Sequence, residues 1–129
     1  MELSIEEIDG ITDPIENAFA KLAVSQDLIV CDSEMITLKR EKRGKNDKRS
    51  TSPDFLLKRD PNDLGIYIEV TKKNLCSRKS RQLNVMQEAG LSNRYVQITH
   101  NDILTVEQND LDLFEYLVQK IEERECIEQ

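Results

Sequence analysis

Tryptophan is absent from these 129 residues, aromatics make up only 5% of them, and histidine occurs once. The core must therefore rest on Ile, Leu and Val. The lone His100 supports no Ser-His-Asp set except by coincidence, and it reads as a polar residue at a strand terminus. Cys31, Cys76 and Cys126 are odd in number, far apart and form no CxxC pair. That spacing favours neither structural zinc nor a disulfide framework, and it points to a reducing cytoplasm. Cys31 is expected in the core, and Cys76 is expected only to open a basic helix. No apolar stretch approaches the roughly 20 residues a membrane span requires. The start, MELSIEEIDGI, lacks the basic opening and apolar core of a signal peptide. Gly-rich phosphate loops, repeats and low-complexity segments are also missing. The expectation is one cytoplasmic domain over 1–129, large enough for its own core and without a membrane partner.

A third of the residues are charged, with a net charge of −7. That sum argues against a nucleic-acid partner, but its distribution argues for one. Lys39–Arg49 (KREKRGKNDKR) holds seven bases against two acids, and Lys72–Arg81 (KKNLCSRKSR) holds five bases and no acid. Asp102–Glu128 is strongly acidic. Segregated charge of this kind steers a polyanion to one face. Isolated basic runs are usually solvated surface, but these two flank a candidate metal site.

That site lies in Ser52–Lys73, SPDFLLKRDPNDLGIYIEVTKK. Two extended segments joined by the turn formers Asp60-Pro61-Asn62-Asp63 would bring Asp54 and Glu69 together. Adjacent hard carboxylates suit Mg²⁺ or Mn²⁺. In IYIEVT the residues Ile66, Ile68 and Val70 fall on one side, with Tyr67, Glu69 and Thr71 on the other. A charge in such a strand is costly unless it is paired or metal-bound.

Around this stretch the elements alternate. Thr12-Asp13-Pro14 starts a helix whose Ile15, Ala18, Phe19, Leu22 and Ala23 share a face, with Glu16 at its edge. Leu28–Cys31 and the MITLK run read as two strands of a hairpin, followed by a mobile basic loop around Gly44. Pro53–Lys58 and Gly65–Thr71 are strands. Ser77 to Ala89 is a basic helix closed by Gly90 and packed through Leu83, Met86 and Val85. Arg94–Thr99 is a strand, and an acidic helix occupies about 109–126. The expected class is α/β, a mixed central sheet flanked by helices in α-β-β-β-α-β-α order.

This order and spacing resemble the PD-(D/E)XK nuclease superfamily, with its restriction-endonuclease-like core, over roughly 14–100. The resemblance implies a Mg²⁺- or Mn²⁺-dependent hydrolase of phosphodiester bonds, an endonuclease with DNA ahead of RNA as substrate. Asp54 corresponds to the Asp of the family's Pro-Asp pair, Glu69 to the acid of the next strand, and Glu16 to an acid from the first helix. Lys72 corresponds to the nearby catalytic lysine. Asp54, Glu69 and the backbone carbonyl of Val70 would hold the metal. Lys42, Arg43, Lys45, Lys48, Arg49, Lys73, Arg78, Lys79, Arg81 and Gln82 would contact nucleic acid. Cutting both strands of a duplex needs two sites, which implies a homodimer.

The family's usual order is acid, any residue, lysine, whereas this chain reads Glu69-Val70-Thr71-Lys72, with Thr71 in the lysine position. Three explanations stay open. A strand that ends or bulges at Thr71 would swing Lys72 or Lys73 inward. The working cation would otherwise come from the following helix, through Arg78 or Lys79. In the third, catalysis is lost and the fold binds nucleic acid or protein. Glu-x-Thr variants with a helix-borne lysine are similar to cap-snatching RNA endonucleases, although the early-helix histidine of those domains is missing. A further alternative is an interaction subunit that docks through its acidic C-terminal helix.

Overall fold

The computed structural model describes residues 1–42, 45–71 and 77–128, with side chains described outside 39–42, 45–49, 77–80 and 127–128. The elements in chain order are α1 (Ile5–Asp9), α2 (Pro14–Ser25), β1 (Ile29–Asp32), β2 (Ile36–Lys42), β3 (Lys45–Thr51), β4 (Phe55–Lys58) and β5 (Ile66–Val70). After them come α3 (Ser77–Glu88), a 3₁₀ turn (Ser92–Arg94), β6 (Tyr95–Ile98), α4 (His100–Gln108) and α5 (Leu113–Glu128).

Local chemistry sets the boundaries. Asp13 Oδ1 accepts the N–H groups of Ile15 at 2.9 Å and Glu16 at 3.0 Å, and Pro14 occupies the first turn of α2, where its missing N–H has no cost. Between β4 and β5, Asp60 Oδ1 accepts the Asn62 N–H at 2.8 Å. There the Asp63 carboxylate accepts from the backbone of Arg59 and Gly65 at 2.9 and 3.2 Å. These Asx interactions fold the chain back on itself and fix the β4–β5 register.

Four strands form a mixed sheet in the order β1-β4-β5-β6, antiparallel across the first two junctions and parallel between β5 and β6. The parallel junction is crossed through α3, as a parallel pair requires. One face carries Val30, Leu57, Ile68 and Val96 into the main apolar cluster, where α1, α2, α4 and α5 cover it. Phe19 of α2 stacks on Phe55 of β4 with ring centroids 5.6 Å apart. Burying each ring contributes about 2–3 kcal/mol. The other face holds the register row Cys31, Leu56, Tyr67 and Tyr95. There α3 lies across the sheet, tied by a Tyr95–Gln82 hydrogen bond and buried through Val85 and Met86.

One expectation about elements is corrected, and two helices join those read from the sequence. The Leu28–Cys31 run does not pair with MITLK: β1 pairs with β4, while β2 pairs with β3 from Ile36↔Thr51 to Lys42↔Lys45. Val30 and Cys31 are both buried and need the apolar partners Leu57 and Leu56, whereas the polar β2 finds an equally polar neighbour. The basic stretch is therefore a two-stranded ribbon over its described residues, inserted between β1 and β4, while Arg43 and Gly44, the centre of the expected loop, lie outside them. The acidic helix expected over about 109–126 is α5, and a further helix, α4, precedes it. Asp102 of α4 accepts the Thr99 N–H at 2.8 Å, and Ile103 and Val106 are buried. The segment before Pro14 also joins the core, through the buried Ile8 of α1, which starts at a Ser4–Glu7 capping box. Among the described residues no helix is long and apolar enough to cross a membrane.

Candidate active-site cleft

The β4–β5 register decides the geometry. Its last ladder pair is Phe55↔Ile68, so one further step sets Asp54 opposite Glu69. By strand alternation both stand on the face away from the main apolar cluster. A hydrogen bond fixes the approach: the Val70 N–H donates to Asp54 Oδ2 at 2.8 Å. Val70 enters this arrangement through its backbone, since its side chain packs against the core.

A cleft of about 330 Å³ opens here. Asp54 and Glu69 line it from the sheet, Arg81 and Gln82 from α3, and Ser50, Thr51, Ser52 and Met35 from the base of the ribbon. Glu69 is only 7% exposed, whereas Arg81 is exposed. The cleft thus joins two carboxylates, one guanidinium, one amide and three short polar residues.

Beneath it lies a polar network that joins Gln82 to Tyr95 and Gln97, two residues absent from the sequence-based site. Tyr95 is fully buried, and its hydroxyl donates to Gln82 Oε1 and accepts from Gln97 Nε2 at 2.9 Å. Gln97 is the register partner of Glu69 across the parallel junction. Burial pushes the Tyr95 phenol well above its usual range, against the Gln97 hydrogen bond and the Arg124 charge; the charges of Glu69 and Asp54 push it further up. Arg124 reaches this ring from α5, 5.9 Å from its centroid. The signal for Tyr95 and Gln97 was their alternation with Val96 and Ile98. It becomes readable as a site only when the Tyr67↔Tyr95 and Glu69↔Gln97 register is known.

The remaining sequence-predicted residues divide by position. Glu16 is half-buried in the first turn of α2, one turn before Phe19, and that helix packs on the opposite face of the sheet from the cleft. Among the described residues no three His, Cys, Asp or Glu side chains are grouped to hold a metal ion, so Glu16 does not join Asp54 and Glu69 in one set. Lys42, Lys45, Lys48 and Arg49 belong to the ribbon and Arg78 and Lys79 to α3, each placed by its backbone. Arg43, Lys72 and Lys73 lie outside the described residues.

Thr71 bears on the variant motif. Its N–H donates to Ile98 O at 2.8 Å and it is 8% exposed. The β5 strand ends at Val70, and the Thr71 N–H makes one further bond to β6 before the described residues stop. Comparison with protein-family models, curated proteins and solved structures finds no match for this chain.

Proposed function

We propose that this chain is a metal-dependent nuclease that hydrolyses phosphodiester bonds in nucleic acid, DNA ahead of RNA, on a restriction-endonuclease-like core. The observation that carries this reading is the placement of Asp54 and Glu69 side by side on neighbouring strands in one polar cleft. The sheet supports it as well. Its first three strands are antiparallel neighbours, and the fourth runs parallel after a helix.

The residues fit a Mg²⁺ ion. That cation is usually bound through one or two carboxylates, with water and substrate phosphate completing its shell, and not by an all-protein cage. Asp54 and Glu69 are such a pair, with the Val70 carbonyl as the third donor the resemblance implies. The chemistry such an ion supplies is polarisation of a phosphoryl oxygen and neutralisation of the charge that develops there. The chain's own contribution is positional. Arg81 is a fixed cation whose planar fork suits phosphate oxygens but cannot take up a proton. Gln82 adds a neutral polar group beside it. A lysine that orients water has to come from Lys72, Lys73 or Lys79.

A second reading is an inactive nuclease-fold module that binds without cutting. Thr71 favours it, because a buried threonine stands where the family's pattern has its lysine.

Cleavage assays decide between them. Purified protein is incubated with labelled single-stranded, duplex and branched DNA and single-stranded RNA, in EDTA, Mg²⁺ or Mn²⁺, beside Asp54→Asn and Glu69→Gln. Metal-dependent cutting lost in both variants establishes the nuclease and its substrate class. Binding without cutting under every metal selects the inactive module. Neither binding nor cutting rejects the nuclease and directs the search to a protein partner.

A further inference from the structure

The Gln82 amide lies between a buried hydroxyl and the cleft, and the hydrogen bonds behind it run in one direction. Gln97 Nε2 donates to the Tyr95 oxygen at 2.9 Å. A phenol has one hydrogen, and Tyr95 gives it to Gln82 Oε1. Tyr95 is fully buried, so its hydroxyl has no solvent to turn towards. With its oxygen engaged on this inner side, the Gln82 amide keeps both hydrogens of its NH₂ group for other partners, and Gln82 lines the cleft beside Arg81, Asp54 and Glu69.

We propose that Tyr95 and Gln97 are positioning residues that orient the Gln82 amide, so that its NH₂ group faces the cleft as a donor for phosphate oxygens. This rests on the reading of the cleft as a nucleic-acid site. Each bond in the chain polarises the next, so the donor at the end is strengthened. Neutral donors suit a cleft already holding two carboxylates and a guanidinium: they select an anion without altering its charge balance. In the reverse polarity Tyr95 would donate to Gln97, and Gln82 would turn its oxygen to the cleft. That would place a third acceptor beside Asp54 and Glu69 and repel phosphate.

The test is a double-mutant cycle read by binding. Fluorescence anisotropy with a short fluorescein-labelled duplex DNA is measured in EDTA, where nothing is cut, for wild type, Tyr95→Phe, Gln82→Met and the double variant. Tyr95→Phe is expected to weaken binding by about two- to tenfold, the range of one net hydrogen bond. Gln82→Met should do the same, and the double variant should be no weaker than Gln82→Met alone. Additive losses, or unchanged binding by a folded Tyr95→Phe, overturn the inference. Gln97→Glu provides the cycle a second time if Tyr95→Phe does not fold, since an acceptor-only side chain forces the Tyr95 hydrogen towards residue 97. Its loss of affinity should be larger in the wild-type background than in the Gln82→Met background, and equal losses overturn the inference. Wild-type protein that binds none of the duplex, single-stranded DNA and RNA probes, in EDTA or in Ca²⁺, rejects the nucleic-acid reading itself; binding without coupling rejects only the role of Tyr95 and Gln97.

Discussion

Asp54 Oδ2 accepts the Val70 N–H at 2.8 Å, so the carboxylate just before β4 extends the β4–β5 pairing past its last ladder pair. The side chain stands in for a strand carbonyl, which gives Asp54 two separable duties. One is to hold the end of β5 in register beside Glu69. The other is to offer a hard oxygen to the cleft.

Substitution can separate these duties. Asp54→Ala removes the acceptor of a partly buried N–H and should destabilise the fold by about 1–3 kcal/mol. Asp54→Asn retains a carbonyl oxygen for Val70 and should keep most of that stability, while losing the charge a divalent cation needs. Urea unfolding followed by the cleavage assay checks both. Two variants equally stable and equally inactive would deny Asp54 its structural part.

Arg81 is the described cation of the cleft, and its contribution should appear as salt dependence. Arg81→Ala is expected to weaken duplex binding nearly uniformly across sequences. The slope of log K against log salt should fall in magnitude by about 1, the signature of one lost phosphate contact. An unchanged slope would place Arg81 off the phosphate path.

Local chemistry made much of this fold legible. Asp13-Pro14 marks the start of α2, the Asp60–Asp63 turn formers mark the β4–β5 connection, and the alternation in IYIEVT separates Ile66 and Ile68 from Glu69. Partner choice was not local. Whether Leu28–Cys31 pairs with MITLK or with β4 depends on which neighbour can bury Val30 and Cys31, a property of the assembled sheet. The same holds for Tyr95 and Gln97, ordinary strand residues until a parallel register puts them beside Tyr67 and Glu69. By contrast, α1 and α4 carried readable signals, the Ser4-x-x-Glu7 box and Thr99-x-x-Asp102.

The β4–β5 connection should be the least tolerant of added bulk. Gly65 has φ +87°, and a Cβ there would meet Leu57 O at 2.8 Å and Leu56 Cδ1 at 2.9 Å. Its carbonyl also accepts from Arg94 Nε at 2.9 Å, so the backbone cannot shift freely. Gly90, at φ +74°, has nothing within 4 Å of an added Cβ. Gly90→Ala should therefore cost about 1–2 kcal/mol from backbone strain alone. Gly65→Ala should cost clearly more, because steric overlap is added. Denaturant midpoints rank the two, and equal losses would show that the strand end yields.

Stability should fall at both pH extremes through one cluster that clasps α4 to α5. Tyr116 and Lys120 donate to Asp102 Oδ1 at 2.6 and 3.1 Å, and Thr99 donates to its Oδ2. Burial pushes the Asp102 carboxyl up, but the Tyr116 hydroxyl, the Thr99 N–H and Lys120 outweigh it and hold the carboxyl below its ordinary 3.8. A depressed acid stabilises the fold above its unfolded value and loses that contribution as pH falls from 3.8 through the lowered one. Tyr116 behaves oppositely. Burial, then its bond to Asp102 and the nearby carboxylate charges, push its phenol from 10.0 up to about 12. Its contribution is complete below pH 10 and is lost as pH rises towards 12. Urea unfolding across pH should show wild type and Asp102→Asn converging below pH 3.8, and wild type and Tyr116→Phe converging between pH 10 and 12. Buried Tyr95 titrates above its usual range in both proteins, so it cancels from the second comparison. A stability gap between wild type and either variant that stays constant through these windows would mean that the clasp holds by shape and not by charge.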